Sequence, residues 1–116
     1  TVADVTPIYK KNYWDRARCD DLQSGVDFAV FDLCVNGGVG RGAKMLQKVA
    51  GVTQDGGIGS QTLGAVSKMN SSVIIEQYTA EREAFYRRLK TFDTFGRGWL
   101  RRNAETRMAA LKMAEV

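Results

Sequence analysis

Three polar side chains interrupt the most apolar segment of the chain, at residues 26–36: Asp27, Asp32 and Asn36. Successive residues of an α-helix rotate by about 100°, so Asp32 and Asn36 share one face and Asp27 lies well round the other side. A carboxylate on a mostly apolar helix must be hydrogen-bonded, paired or exposed to a cleft. Two interpretations stay open: Asp32 lines a ligand cleft beside Asn36, or it caps a neighbouring helix or pairs with an arginine.

A second cluster combines aromatic rings, flexible backbone and cations in the sequence Phe95-Gly-Arg-Gly-Trp99, followed by Arg101 and Arg102. Aromatic faces with nearby cations suit both sugars and nucleic-acid bases. We therefore take Arg97 and Trp99 as candidate ligand contacts. The alternative is that Trp99 packs into the core and the arginines are solvated.

The glycine-dense stretch from Asp55 to Ser60 lacks the Gly-Lys-Ser/Thr ending of a phosphate-binding loop and the ligand spacing of a calcium-binding hand. It is better interpreted as a tight turn in which Ile58 is a hydrophobic plug.

The composition excludes several other chemistries. The chain has no histidine, so Ser-His catalysis, Cys-His catalysis and His-ligated metals are ruled out. Cys19 and Cys34 can pair, but two thiols are not a disulfide framework, and Cys34 fits a core position. We predict no metal and no cofactor. The net charge of +4 favours polyanions such as nucleic acid, acidic lipid or wall polymer without choosing among them.

The hydrophobic periodicity predicts an all-α domain of about five or six helices. A reduced capping box at Thr1 and Asp4 starts the first helix, and Asn70-Ser71-Ser72 caps the longest one. The predicted helices cover residues 2–14, 26–35, 40–49, a short stretch capped by Ser60, 73–89 and 99–114. Residues 15–24 and 91–98 are predicted loops. The core sides of the last two helices are predicted to include Tyr78, Phe85, Met108 and Leu111. No segment is apolar enough to predict a membrane span, and no signal peptide is visible.

Four motifs occur in an order that resembles glycoside hydrolase family 108, the lysozyme-like N-acetylmuramidases first described as secretion activator proteins. They are Ile8 to Asp15, Gly25 to Lys44, Asp55 to Thr62 and Phe95 to Arg102. The resemblance implies a lysozyme-like single helical domain, with residues 1–36 as the rear part of the hydrolase region and 37–116 as a predicted peptidoglycan-binding region. It also implies a bacterial or prophage protein that acts on peptidoglycan at the cell wall or in the periplasm.

The family's catalytic glutamate lies in a Glu-Gly-Gly-Tyr motif before the segment that matches Thr1. This sequence has no such motif, and its first glutamate is Glu76. We therefore expect a fragment that lacks the N-terminal part of the domain and binds the glycan without cutting it. The expected substrate-binding residues are Asp32, Asn36, Arg97 and Trp99. Two alternatives stay open: a basic helical nucleic-acid-binding module, or a non-catalytic wall-binding protein whose native chain also lacks the glutamate.

Overall fold

The computed structural model describes residues 7–115, so the capping box predicted at Thr1 and Asp4 lies outside the described residues. Every regular element within that range is helical, which confirms the all-α prediction. In chain order the elements are α1 (Pro7–Tyr9), a π-helical turn (Lys10–Trp14), a 3₁₀ turn (Cys19–Asp21), α2 (Val26–Gly37), α3 (Val39–Ala50), α4 (Ser60–Ser67), α5 (Ser71–Arg87) and α6 (Phe92–Ala114).

Helix α2 is the centre of the packing, because it contacts α3, α5 and α6. Its buried apolar side chains include Val30, Leu33 and Cys34, each 0% exposed. The prediction of a buried helix here is confirmed, and Gly38, at φ +99°, follows its last residue. Since α2 is covered on several sides, a buried polar group on it needs a hydrogen-bond or ion-pair partner.

Close backbone approach fixes where α2 begins. Gly25 has φ +90°, and a Cβ atom placed there would lie 2.3 Å from the carbonyl oxygen of Ala110 in α6. A side chain at residue 25 would therefore be strained in its backbone and would push α2 away from α6. The start of α2 is thus set by the path of α6.

The predicted loop at residues 91–98 is wrong, because α6 already begins at Phe92. Two glycines in that stretch argue against a helix from propensity alone. The Phe92 ring lies so close to Gly96 that a Cβ there would be 2.5 Å from it, so Gly96 lets the ring fold over the first turn. Asp93 also lies in the first turn, where a negative charge stabilises the helix by interacting favourably with its dipole.

The inward face of α6 also differs from the prediction. Met108, predicted to face the core, is 65% exposed. The buried residues of this helix are small or polar instead: Gly96, Asn103, Thr106 and Ala110. Asn103 donates a hydrogen bond of 3.0 Å to the carbonyl oxygen of Thr79 in α5. This polar contact with α5 and the packing of Ala110, Leu111 and Ala114 in the core together set the rotation of α6.

One of the two helix caps predicted in this part of the chain occurs in the structure. Asn70 caps α5 by accepting a hydrogen bond from the backbone N–H of Ser72, as predicted. Ser60 is the first residue of α4 rather than its cap, and Gly59 takes the cap position.

Cys19 and Cys34 are buried free thiols, and burial raises the pKa of Cys34 to about 12. No helix among residues 7–115 is both long and apolar enough to cross a membrane.

The packing of α2 against α6 can be tested with two glycine substitutions. Gly25→Ala should lower the free energy of unfolding by on the order of 3 kcal/mol, because it adds backbone strain and a clash with Ala110. Gly98→Ala is the matched control: no atom lies within 4 Å of its Cβ position, inside α6. That change should stabilise the protein by up to about 1 kcal/mol. Urea unfolding measures both, and a destabilising Gly98→Ala would contradict a helix through residues 92–98.

Candidate functional site

A buried carboxylate joins three helices. Asp32 in α2 is 2% exposed, and its Oδ2 accepts hydrogen bonds from Arg82 Nη1 at 2.8 Å and from Thr106 Oγ1 at 3.0 Å. Arg102 Nε and Nη2 both donate to Oδ1 of the same carboxylate. Asp32 is therefore paired with arginines from α5 and α6, which is the second of the two interpretations open from the sequence.

The charge of Asp32 is fixed by those partners. Burial opposes ionisation of this carboxyl, but the guanidiniums of Arg102 and Arg82 outweigh it and hold its pKa below the usual range. Asp32 is consequently an anion at neutral pH. An ionised carboxylate cannot serve as the general acid that glycosidic cleavage needs.

Arg82 is only 1% exposed and has two of its three nitrogens engaged. Nη1 donates to Asp32, and Nε donates to the hydroxyl oxygen of Tyr86 at 2.8 Å. Its Nη2 has no hydrogen-bond partner among the described residues. Buried donors are almost always satisfied in folded proteins, so this nitrogen is an unusual feature of the site.

A groove of about 260 Å³ lies above this cluster, between α2, α5 and α6. We call it the Trp99 groove. Its polar and aromatic lining residues are Asn36, Arg41, Arg82, Phe85, Tyr86, Trp99 and Arg102. No acidic residue is among the described residues that line it. The groove is thus cationic, with aromatic walls.

Aromatic rings form one wall of the groove. Trp99 stacks on Tyr86, with ring centroids 5.2 Å apart and an interplanar angle of 26°. Phe95, which is 54% exposed, lies one helical turn before Trp99 with a centroid distance of 5.7 Å. Phe95 does not line the Trp99 groove, whose aromatic lining residues are Phe85, Tyr86 and Trp99. Aromatic rings beside polar groups offer a flat apolar surface with hydrogen-bonding edges, and such a surface suits the face of a sugar ring.

The four predicted substrate-binding residues fall in three positions. Asn36 and Trp99 both line the Trp99 groove. Asp32 lies beneath it and is linked to it through Arg82 and Arg102. Arg97 is exposed on α6 and does not line this groove. A substrate contact by any of these four residues stays a prediction.

Sequence reasoning did not single out Arg82, Tyr86 or Arg102 as site residues. A signal for Arg82 was present, because Tyr78, Arg82 and Tyr86 recur every four residues and therefore share the buried face of α5. An arginine in the middle of such a face needs a buried acceptor. Its acceptor, Asp32, lies 50 residues earlier in the chain.

The turn at Asp55 is held by a buried glutamine rather than shaped for a ligand. Gln47 Nε2 donates to Asp55 Oδ1 at 2.8 Å, and the backbone N–H of Gly56 donates to Gln47 Oε1 at 2.9 Å. Ile58 is 7% exposed, which confirms its role as a hydrophobic plug. Within residues 7–115 no cluster of three His, Cys, Asp or Glu side chains could hold a metal ion.

Comparison with known proteins agrees with this architecture. Residues 1–38 match the family model for glycosyl hydrolase 108, and residues 41–104 match a family described as "Predicted Peptidoglycan domain". The solved structure of Brucella abortus SagA is 45% identical, with a TM-score of 0.94; the match covers 100% of this chain and 67% of that one. The chain belongs to glycosyl hydrolase family 108. The search of curated proteins gave no match.

Membership of family 108 confirms the resemblance stated from the four sequence motifs. Together with the peptidoglycan-domain match, it gives the chain a function connected with bacterial cell-wall glycan. The division into regions 1–36 and 37–116 stays a prediction.

The buried ion pair can be tested by neutralising its carboxylate. Asp32→Asn should lower the free energy of unfolding by about 3–5 kcal/mol, because it leaves the buried Arg82 charge uncompensated. Since the pKa of Asp32 is lowered in the folded state, this stabilisation is complete above the ordinary aspartate pKa of about 4. It is lost as the pH falls through the lowered value. The stability difference between wild type and variant should therefore narrow in acid.

Asp21→Asn is the control for this substitution. It removes a carboxylate whose ion pair with Arg18 is about half exposed on both sides. Its effect should stay within about 1 kcal/mol. Equal destabilisation by the two variants in urea melts would contradict a special role for the Asp32 pair.

Proposed function

We propose that this family 108 chain binds the glycan strands of peptidoglycan in the Trp99 groove and does not cleave them by itself. The observation that carries the proposal is the aromatic wall of Phe85, Tyr86 and Trp99 beside the polar side chain of Asn36. Stacking on a ring fixes the sugar face, and the neighbouring polar groups fix its hydroxyl and acetamido groups. The site would serve a glycosidase of the N-acetylmuramidase type at the bacterial cell wall.

The rigidity of the groove supports this assignment. Its floor is tied to three helices through Asp32, Arg82 and Arg102. The Asn36 side chain is also held in place, because its Nδ2 donates a hydrogen bond of 2.8 Å to the carbonyl oxygen of Asp32. A site whose groups are already positioned loses less conformational entropy on binding.

The proposal that the chain does not cleave rests on its carboxyl groups. Burial raises the pKa of Asp27, opposed by hydrogen bonds from the N–H groups of Phe28 and Gly25. Asp27 lies at the opposite end of α2 from the groove. Asp32 and Asp55 both have lowered pKa values, Asp32 through its arginines and Asp55 through hydrogen bonds from Gly57 and Gln47. Among residues 7–115, no acidic residue lines the Trp99 groove.

Binding without cleavage can be measured on insoluble peptidoglycan. The chain should co-sediment with the polymer but leave the turbidity of the suspension unchanged. Trp99→Ala should weaken binding by on the order of ten-fold, because an aromatic anchor is lost. Trp99→Phe should restore much of it. Met108→Ala, on the same helix but outside the groove, is the control and should bind like wild type.

Two results would contradict this proposal. Robust loss of turbidity with the purified chain would show that it supplies its own acid. Equal binding by Trp99→Ala and Met108→Ala, with both variants folded by circular dichroism, would remove the Trp99 groove from glycan binding.

The nucleic-acid alternative has less support from the arrangement of charges. Four arginines of the basic C-terminal third are engaged in ion pairs: Arg82 and Arg102 with Asp32, Arg87 with Glu83, and Arg107 with Glu76. We expect binding to a random DNA duplex to be weak and to fall steeply as salt is raised. Fluorescence anisotropy at two salt concentrations measures this. Tight binding that persists at high salt would favour the nucleic-acid module over glycan binding.

A further inference from the structure

The Trp99 groove has more positive charge than its own contacts use. Three guanidiniums line it, those of Arg41, Arg82 and Arg102. They face one carboxylate, Asp32, which both Arg82 and Arg102 already share. Three cations against one anion leave two positive charges in a partly desolvated cleft. Such a cleft attracts an anionic group from outside.

The buried guanidinium of Arg82 also has hydrogen-bond donors that are not used. Nη2 carries two N–H groups, and this atom has no hydrogen-bond partner among residues 7–115. Leaving a buried donor unsatisfied is costly. A carboxylate oxygen is the acceptor that a guanidinium binds most strongly in proteins, often with two parallel hydrogen bonds.

Arg41, at the rim of the groove, is also positioned to pair with a carboxylate of a ligand. Its side chain is exposed, yet Nη1 donates to the carbonyl oxygen of Gly37 at 2.8 Å. The guanidinium carbon lies 4.4 Å from the centroid of the Phe85 ring. These two contacts hold the cation at the groove without neutralising it. A ligand can therefore pair with Arg41 at little further cost in side-chain ordering.

We propose that Arg41 and Arg82 form a carboxylate-binding subsite beside the sugar-stacking wall of the Trp99 groove. The subsite makes the chain selective for acidic muropeptides over neutral glycan. This rests on the proposed function, because it assumes that the sugar lies against Trp99. Two parts of peptidoglycan can supply the carboxylate: the stem peptide, or the lactyl group of a muramic acid that has lost its peptide.

Calorimetric titration of the whole chain with matched soluble ligands tests the subsite. The ligands are a neutral N-acetylglucosamine tetramer, a disaccharide-peptide, the same compound with its carboxylates converted to amides, and the disaccharide without peptide. We expect the disaccharide-peptide to bind roughly ten-fold more tightly than its amide form, as one charge-assisted contact allows. Tight binding of the peptide-free disaccharide would assign the carboxylate to the lactyl group, and weak binding would assign it to the stem peptide.

Two variants assign the effect to the groove. Arg41→Gln should remove most of the difference between the acidic and amidated ligands, and it should weaken binding of the acidic disaccharide-peptide more than binding of the neutral tetramer. Arg101→Gln is the matched control, because it removes the same charge from an exposed position outside the groove. Arg82→Lys keeps a positive charge near Asp32 but removes Nη2, so it should also lose discrimination. If Arg82→Lys does not fold, Arg41→Gln still decides the question.

The outcomes separate the two proposals. Equal affinity for the acidic and amidated disaccharide-peptides, together with weak binding of the peptide-free disaccharide, would overturn the carboxylate subsite while glycan binding stands. The same behaviour of Arg41→Gln and Arg101→Gln toward the charged ligands would overturn it as well. Selective binding of acidic ligands without binding of the neutral tetramer would support the subsite and contradict stacking as the source of glycan affinity. No binding of any ligand would overturn both proposals.

Discussion

The buried carboxylate of Asp32 is the interaction on which the rest of the structure depends. It lies on α2, the most enclosed helix, and its partners come from α5 and α6. Removing one partner of a buried ion pair costs several kcal/mol, because the remaining charge stays desolvated. The three helices are therefore constrained to one mutual arrangement, and the groove above them takes its shape from that constraint.

The ion pairs of Asp32 with Arg82 and Arg102 explain how a positively charged groove forms above a buried negative charge. Arg102 reaches Asp32 with its end group while more than half of its side chain stays exposed. Arg82 is fully buried and turns its Nε to Tyr86, which in turn supports the ring of Trp99. The carboxylate thus orders two cations and, through one of them, the aromatic wall. Structure and binding surface are connected by a short chain of contacts rather than by a separate set of residues.

The sequence predicted the local structure of this site better than its tertiary contacts. The buried helix at α2, the shared face of Asp32 and Asn36, and the cap at Asn70 all follow from patterns within a few residues. The ion pair does not, because Arg82 and Arg102 lie 50 and 70 residues beyond Asp32. Charge composition shows that partners exist, but only the packing of the helices selects them.

Helix α6 shows a different limit of sequence reasoning. Its buried residues are Gly96, Asn103, Thr106 and Ala110, none of which is a large apolar residue, while Leu111 is only partly buried against the core. A periodicity search weighted by hydrophobicity therefore selects Met108, which the structure exposes, and stops the helix at the two glycines near its start. The polar residues Asn103 and Thr106 mark the inward side of α6 instead, because they hydrogen-bond to buried groups on α5 and α2. Those partners are known only once the helices are packed together.

The two tryptophans of the chain offer the most direct test of the central claim, that the Trp99 groove receives the glycan. Trp14 is 3% exposed, and its indole N–H donates to Asp20 at 2.8 Å, whereas Trp99 lines the groove. Their indole N–H signals can be followed separately by NMR during titration with a soluble N-acetylglucosamine tetramer. If the glycan binds in the Trp99 groove, the Trp99 signal shifts saturably and the Trp14 signal stays unchanged. An unchanged Trp99 signal at ligand concentrations that saturate binding would contradict binding in that groove.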